Sequence, residues 1–143
     1  MDFLNAMQIS GSALKAQRTR INVTAMNLAN VNTTRTVEGG PYKAKSVVFA
    51  AQPVGDQFAK VLQSKLELRG VEVIDVVEDD VPFKEIYDPS HPDADQNGMV
   101  KLPNVNVVEQ MVDMMTAKRA YEANVTALEA VKSMALKALD ISR

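Results

Sequence analysis

From Asn104 to Arg143 the chain contains neither glycine nor proline. No other feature narrows the fold as much. These two residues weaken a helix interior most, by about 1 and 3 kcal/mol relative to Ala. Asn106, with Glu109 three residues later, supplies an N-cap and a variant of the capping box. The pattern predicts a helix over Val107 to Ile141, roughly 50 Å long at about 1.5 Å per residue. A compact globule of this chain length spans only about 35–40 Å. The helix should therefore overhang its own domain.

At roughly 100° per residue this helix carries two apolar stripes. One holds Val107, Met111, Met114, Tyr121, Val125, Leu128, Ala135 and Leu139. The other lies roughly opposite and holds Val108, Val112, Met115, Ala123, Ala127, Ala130 and Met134. A helix apolar on several sides is normally buried. The first stripe has a partner in the chain: Met7, Leu14, Ile21 and Leu28 stand seven apart near the N-terminus, with Ala13, Ala16, Val23 and Ala25 beside them. That is a heptad seam. Asn30 and Asn32 in "NVNTT" should close this helix with a left-handed cap. The second stripe needs either other subunits or the middle of the chain folded back over it.

The middle reads differently. Residues 37–104 hold five of the six Gly and all six Pro. Tyr42–Ala50 and Val71–Asp79 are β-rich runs. "DQFAKVLQSKLEL" between them is ambiguous between helix and strand. Three parts follow: 1–36, a helix and its cap; 37–104, a β and loop insertion; and 105–143, the long helix. The fold class is mainly α with a small β-rich insertion, its terminal helices packed as a coiled-coil-like antiparallel pair.

Charge and composition exclude several functions. The first 36 residues carry one acid against four bases, and residues 37–104 carry twelve acids against seven bases. Nothing is basic enough to make nucleic acid a partner. Cysteine is absent, so there is no disulfide framework or thiol chemistry. "MDFLNAMQISGSALKA" does not read as a secretory signal peptide, and no apolar run approaches the roughly 20 residues that span a bilayer. "DADQNG", Asp93 to Gly98, matches the start of a calcium loop. Its twelfth position is Asn104, where a bidentate Glu is needed. An exposed acidic turn before a strand-like "MVKLP" is the simpler reading. His91 is the only histidine, and no Ser stands in a nucleophile elbow. "EGGPY" lacks the Lys and helix start of a phosphate loop. We expect no catalytic residues, no metal and no cofactor.

Two motifs carry a resemblance. "NLANVNT", Asn27 to Thr33, closes the first helix, and "AKRAYEANV" begins at Ala117 inside the last. Together they resemble the two ends of the bacterial flagellar rod, hook and hook-associated axial proteins. "GGPYKAKSVVF" and "HPDADQNGMVKLPNVNVVEQMVDMM" narrow the likeness to a proximal-rod subunit of the basal body. Met99 departs from it, standing where an aromatic residue is usual.

The resemblance implies a structural subunit that assembles helically through its terminal helices and transmits torque across the periplasm. It implies export through the flagellar type III apparatus without a cleavable signal. Its partners would be copies of itself, other rod proteins, the export apparatus and the basal-body rings. The candidate interface residues are Met7, Leu14, Ile21, Leu28, Asn30 and Thr33 in the first part. In the last helix they are Val107, Met111, Met114, Met115, Arg119, Tyr121, Asn124, Ala127, Leu128, Val131 and Leu139.

Overall fold

A computed structural model describes residues 3–54 and 68–141. The order is α1 (Phe3–Ala29), β1 (Lys45–Pro53), β2 (Arg69–Glu78), β3 (Lys84–Tyr87), β4 (Met99–Leu102) and α2 (Val107–Ile141). The two long helices pack against each other, with small antiparallel two-stranded sheets between them in sequence. Most of the ambiguous "DQFAKVLQSKLEL" run lies outside the described residues.

α2 starts where the cap predicts. Asn106 Oδ1 accepts from Val108 N–H at 3.2 Å, and Gln110 N–H donates to Asn106 C=O at 3.0 Å. This satisfies one of the donors a helix N-terminus leaves over. α1 ends differently from expectation. No described non-glycine residue has a positive φ, so Asn30 and Asn32 are not left-handed. Asn30 N–H shares the carbonyls of Met26 and Asn27 at 3.1 and 3.2 Å, while its side-chain amide donates to Met26 C=O at 2.9 Å. With Val31 N–H donating to Leu28 C=O at 3.4 Å, the last carbonyls are met by a tightened final turn, so no left-handed residue is needed.

β1 pairs with β2. Val54 N–H donates to Leu68 C=O at one end, and Asp79 N–H to Ala44 C=O at the other. Positions rising along one strand as they fall along the other make the pair antiparallel. β3 and β4 form a second antiparallel ribbon in the register Lys84↔Leu102, Glu85↔Lys101, Ile86↔Val100, Tyr87↔Met99. β4 is the strand-like "MVKLP". β3 lies in the stretch read as irregular, because four residues flanked by prolines show no useful period.

The chain divides into two compact units. The first takes the described residues up to Thr19, from Val48 to Asp75, and from Thr116 onward. Its most buried helical positions are both alanines, Ala16 and Ala117. Small side chains let helix backbones approach closely. β2 also comes close to α1 here. A Cβ on Gly70 would meet Ser12 Oγ at 2.8 Å, and Val71 N–H donates to that same oxygen at 3.1 Å. Only a residue without a side chain fits that approach.

The second unit takes Arg20–Val47 and Val76–Met115. Tyr42, Ala44 and Val105 form its small core, with Val31 packed on them. Val100 of β4 is fully buried, whereas its cross-strand partner Ile86 is largely exposed.

Candidate assembly interface

α2 presents two different faces. Its half-buried and buried positions include Gln110, Met114, Ala117, Tyr121, Asn124, Leu128, Val131 and Ala135. These alternate in steps of four and three, the spacing of a coiled-coil seam. The opposite face is apolar near its start and exposed: Val108 at 70%, Met111 at 48% and Met115 at 57%. At the other end Met134, Leu136, Leu139 and Ile141 are also exposed. Leu139 shares the seam's direction at about 100° per residue and is 65% exposed.

The candidate residues therefore separate into two sets. Val107, Met114, Tyr121, Asn124, Leu128 and Val131 are half-buried within the chain, whereas Met111, Met115, Arg119, Ala127 and Leu139 are exposed. Met111 does not share the seam face, lying about 120° from Ala117 by helical geometry. On α1, Met7, Leu14, Ile21 and Leu28 are all half-buried. The deepest positions lie elsewhere, at Ala16, Val23, Thr24 and Asn27. The large apolar side chains flank the packing centre, and small or polar ones occupy it.

Asn27 is the residue the apolar pattern could not find. It is 1% exposed. Its amide donates to Lys45 C=O at 2.7 Å and to Gln110 Oε1 at 2.9 Å. Its carbonyl accepts from Tyr42 O–H and Lys45 N–H, both at 2.9 Å. Two donors and two lone pairs are all used, so the buried amide is fully satisfied. One side chain ties α1, the start of β1 and α2. Burial, and next the Glu78 carboxylate, pushes the Tyr42 phenol up, which keeps it a donor at neutral pH. The only sequence signal was an Asn opening "NLANVNT" on the inner side of an amphipathic helix.

The rest of the motif closes the helix. Thr33 Oγ1 donates to Asn30 Oδ1 at 3.1 Å, and Tyr42 N–H donates to Thr33 C=O at 3.0 Å. Asn30 and Thr33 thus shape the turn that brings Tyr42 to Asn27. Nearby, the Arg20 guanidinium grips Asp113 through two nitrogens and both carboxylate oxygens. Bidentate pairing fixes orientation as well as distance. Asn104, the would-be twelfth ligand, accepts from Ala44 N–H at 2.8 Å and donates to the carbonyls of Asp79 and Val81.

The "DADQNG" carboxylates serve their own loop. Asp95 Oδ1 accepts from the N–H groups of Asn97 and Met99 at 2.8 and 2.9 Å, and these bonds hold its carboxyl below the usual range. Asp93 accepts from Thr34 O–H at 2.7 Å. His91 Nδ1 accepts from Asp93 N–H at 3.1 Å. Among the described residues no three His, Cys, Asp or Glu side chains gather as a metal site, and no helix is long and apolar enough to cross a membrane.

Known proteins match this sequence from end to end. The family described as "Flagella basal body rod protein" matches residues 7–35, most of α1 and its closing turn. The family described as "Flagellar basal body rod FlgEFG protein C-terminal" matches residues 96–141, which hold β4 and α2. Flagellar basal-body rod protein FlgC of Salmonella typhimurium (strain LT2) is 45% identical over 143 residues, covering all of both chains. FlgC of Bacillus subtilis (strain 168) is 41% identical over 152 aligned positions, again covering both chains in full. FlgC of Borreliella burgdorferi is 43% identical over 150, covering 99% of this chain and 98% of its own. The chain belongs to the FlgC family of flagellar basal-body rod proteins. It is a structural rod component and not an enzyme. The site that matters in such a protein is the surface it offers to neighbouring subunits.

Proposed function

We propose that this rod subunit assembles helically with copies of itself and with other rod proteins of the proximal rod, and transmits torque across the periplasm. Residues 1–36 and 105–143 form the inner tube, and 37–104 lie further out. The observation that carries this reading is the exposed apolar patch of Val108, Met111 and Met115, opposite a seam already used within the chain. Burying apolar surface is worth about 25 cal/mol per Å², so such a patch favours association. A contact between unlike surfaces that does not close into a ring builds a filament. The same reading has the subunit pass the flagellar export apparatus and meet the basal-body rings.

Met115→Asp tests it. The charge falls on the exposed face, so the subunit should fold as before. In a strain lacking the protein, the variant should leave basal bodies stalled and cells non-motile, because an unpaired charge would be buried at the joint. Complete, rotating flagella would overturn the reading.

A further inference from the structure

Asn97 is exposed and the Gly98 that follows it is buried; Asn-Gly is the dipeptide most prone to lose its side-chain amide. In that reaction the Gly nitrogen loses its proton and attacks the Asn Cγ, closing a five-membered imide and expelling ammonia. Water then opens the ring at either carbonyl, giving Asp or isoaspartate. The net change is one water consumed and one ammonia released. The step needs a Gly N–H that can be stripped of its proton and swung toward Cγ.

The turn opposes both requirements. Gly98 N–H donates to Asp95 C=O at 3.0 Å, so the attacking nitrogen is aimed away from its target. Asn97 N–H and Met99 N–H are both held by the Asp95 carboxylate, at 2.8 and 2.9 Å. That carboxylate sits beside the amide that must become an anion, and like charge disfavours ionisation. Gly98 also has little freedom. Its φ is +76°, and a Cβ there would lie 3.0 Å from the Tyr87 ring and 3.1 Å from Pro89.

We propose that Asn97 is a deamidation site guarded by the folded β3–β4 turn through Asp95, open to reaction only before the turn forms. A chain that waits unfolded accumulates isoaspartate here; a folded one does not. Isoaspartate adds a backbone methylene inside a turn closed by Asp95 N–H to Met99 C=O at 2.9 Å, so a chain modified first cannot close it.

The test ages the full-length protein at mildly alkaline pH, folded in buffer or unfolded in urea, and follows peptide 97–98 by mass spectrometry. The folded protein should react at least about tenfold more slowly, since the rate scales with the fraction of turns open. Equal rates would overturn the proposal. Asp95→Asn keeps an acceptor oxygen and removes the charge. It should speed the folded reaction and leave the urea rate near that of the wild type. A folded rate identical to wild type, with hairpin amides still protected from exchange, would remove Asp95 from the account.

Discussion

The two units of this chain are held in different ways. The unit of Arg20–Val47 and Val76–Met115 is specified by polar groups: a saturated Asn27, a bidentate Arg20–Asp113 pair, and Asn104 linking three backbone segments. The unit of residues up to Thr19, 48–75 and from Thr116 is centred on Ala16, Ala117 and the Gly70–Ser12 approach. Its last helical turns expose Leu136 and Ile141. Directional bonds select one geometry, and partly satisfied ones are costly. Small-residue packing needs closeness but tolerates adjustment. The polar-held unit therefore fixes how the chain is joined to itself. Apolar surface is left on both, at Val108, Met111 and Met115 in the polar-held unit and at Leu136 and Ile141 in the other.

Substitutions should break this contrast in order of size. Asn27→Leu should cost most, on the order of 3 kcal/mol, because it strands Tyr42 O–H, Gln110 and both polar groups of Lys45. Urea unfolding would measure it. A loss below about 1 kcal/mol, the net worth of an ordinary hydrogen bond, would mean that the network is dispensable.

Gly70→Ala should cost about 1–3 kcal/mol through overpacking against Ser12. Adding Ser12→Ala should recover part of that loss, a coupling that a double-mutant cycle reads directly. Additive effects would mean that the close approach of β2 to α1 is not what limits this unit.

Asp113→Ala should cost less, about 1 kcal/mol, because both partners of the pair are partly exposed and screened. With Arg20→Ala the losses should not add.

Acid should have the smallest effect. Hydrogen bonds from Ser90 hold the Asp88 carboxyl below its ordinary value, as those from Asn97 and Met99 do for Asp95. A depressed native value means that the carboxylate form is favoured by folding. The contribution is present above the unfolded carboxylate range and fades as pH falls through the native values. Amide exchange at Met99 should rise over that interval, and Asp95→Asn should flatten the response.

Much of this was legible in the sequence. The absence of Gly and Pro after Asn104, together with Asn106, placed α2 at its observed bounds. Both β-rich runs became β1 and β2, and "MVKLP" became β4. The packing centre was less legible. Hydrophobic periodicity weights large side chains, so it put Met7, Leu14, Ile21 and Leu28 in the seam and Ala16 and Val23 only beside it. The deepest sites are Ala16, Thr24, Asn27 and Ala117, because helices that approach closely have room there only for small or fully bonded groups. Periodicity also joined Met111 to the seam stripe, although its exposure sets it with the opposite face. An exposed apolar patch cannot be separated from a covered one until both faces of the helix are seen.

The central claim is that the outer face of α2 is free in the lone subunit and covered in the rod. The chain has no cysteine, so Met115→Cys gives a single reactive thiol on that face. A maleimide probe should label the purified variant readily and should fail to label it in intact basal bodies isolated from motile cells. Equal labelling in both would contradict the account, and the assembly surface would have to be sought elsewhere on the molecule.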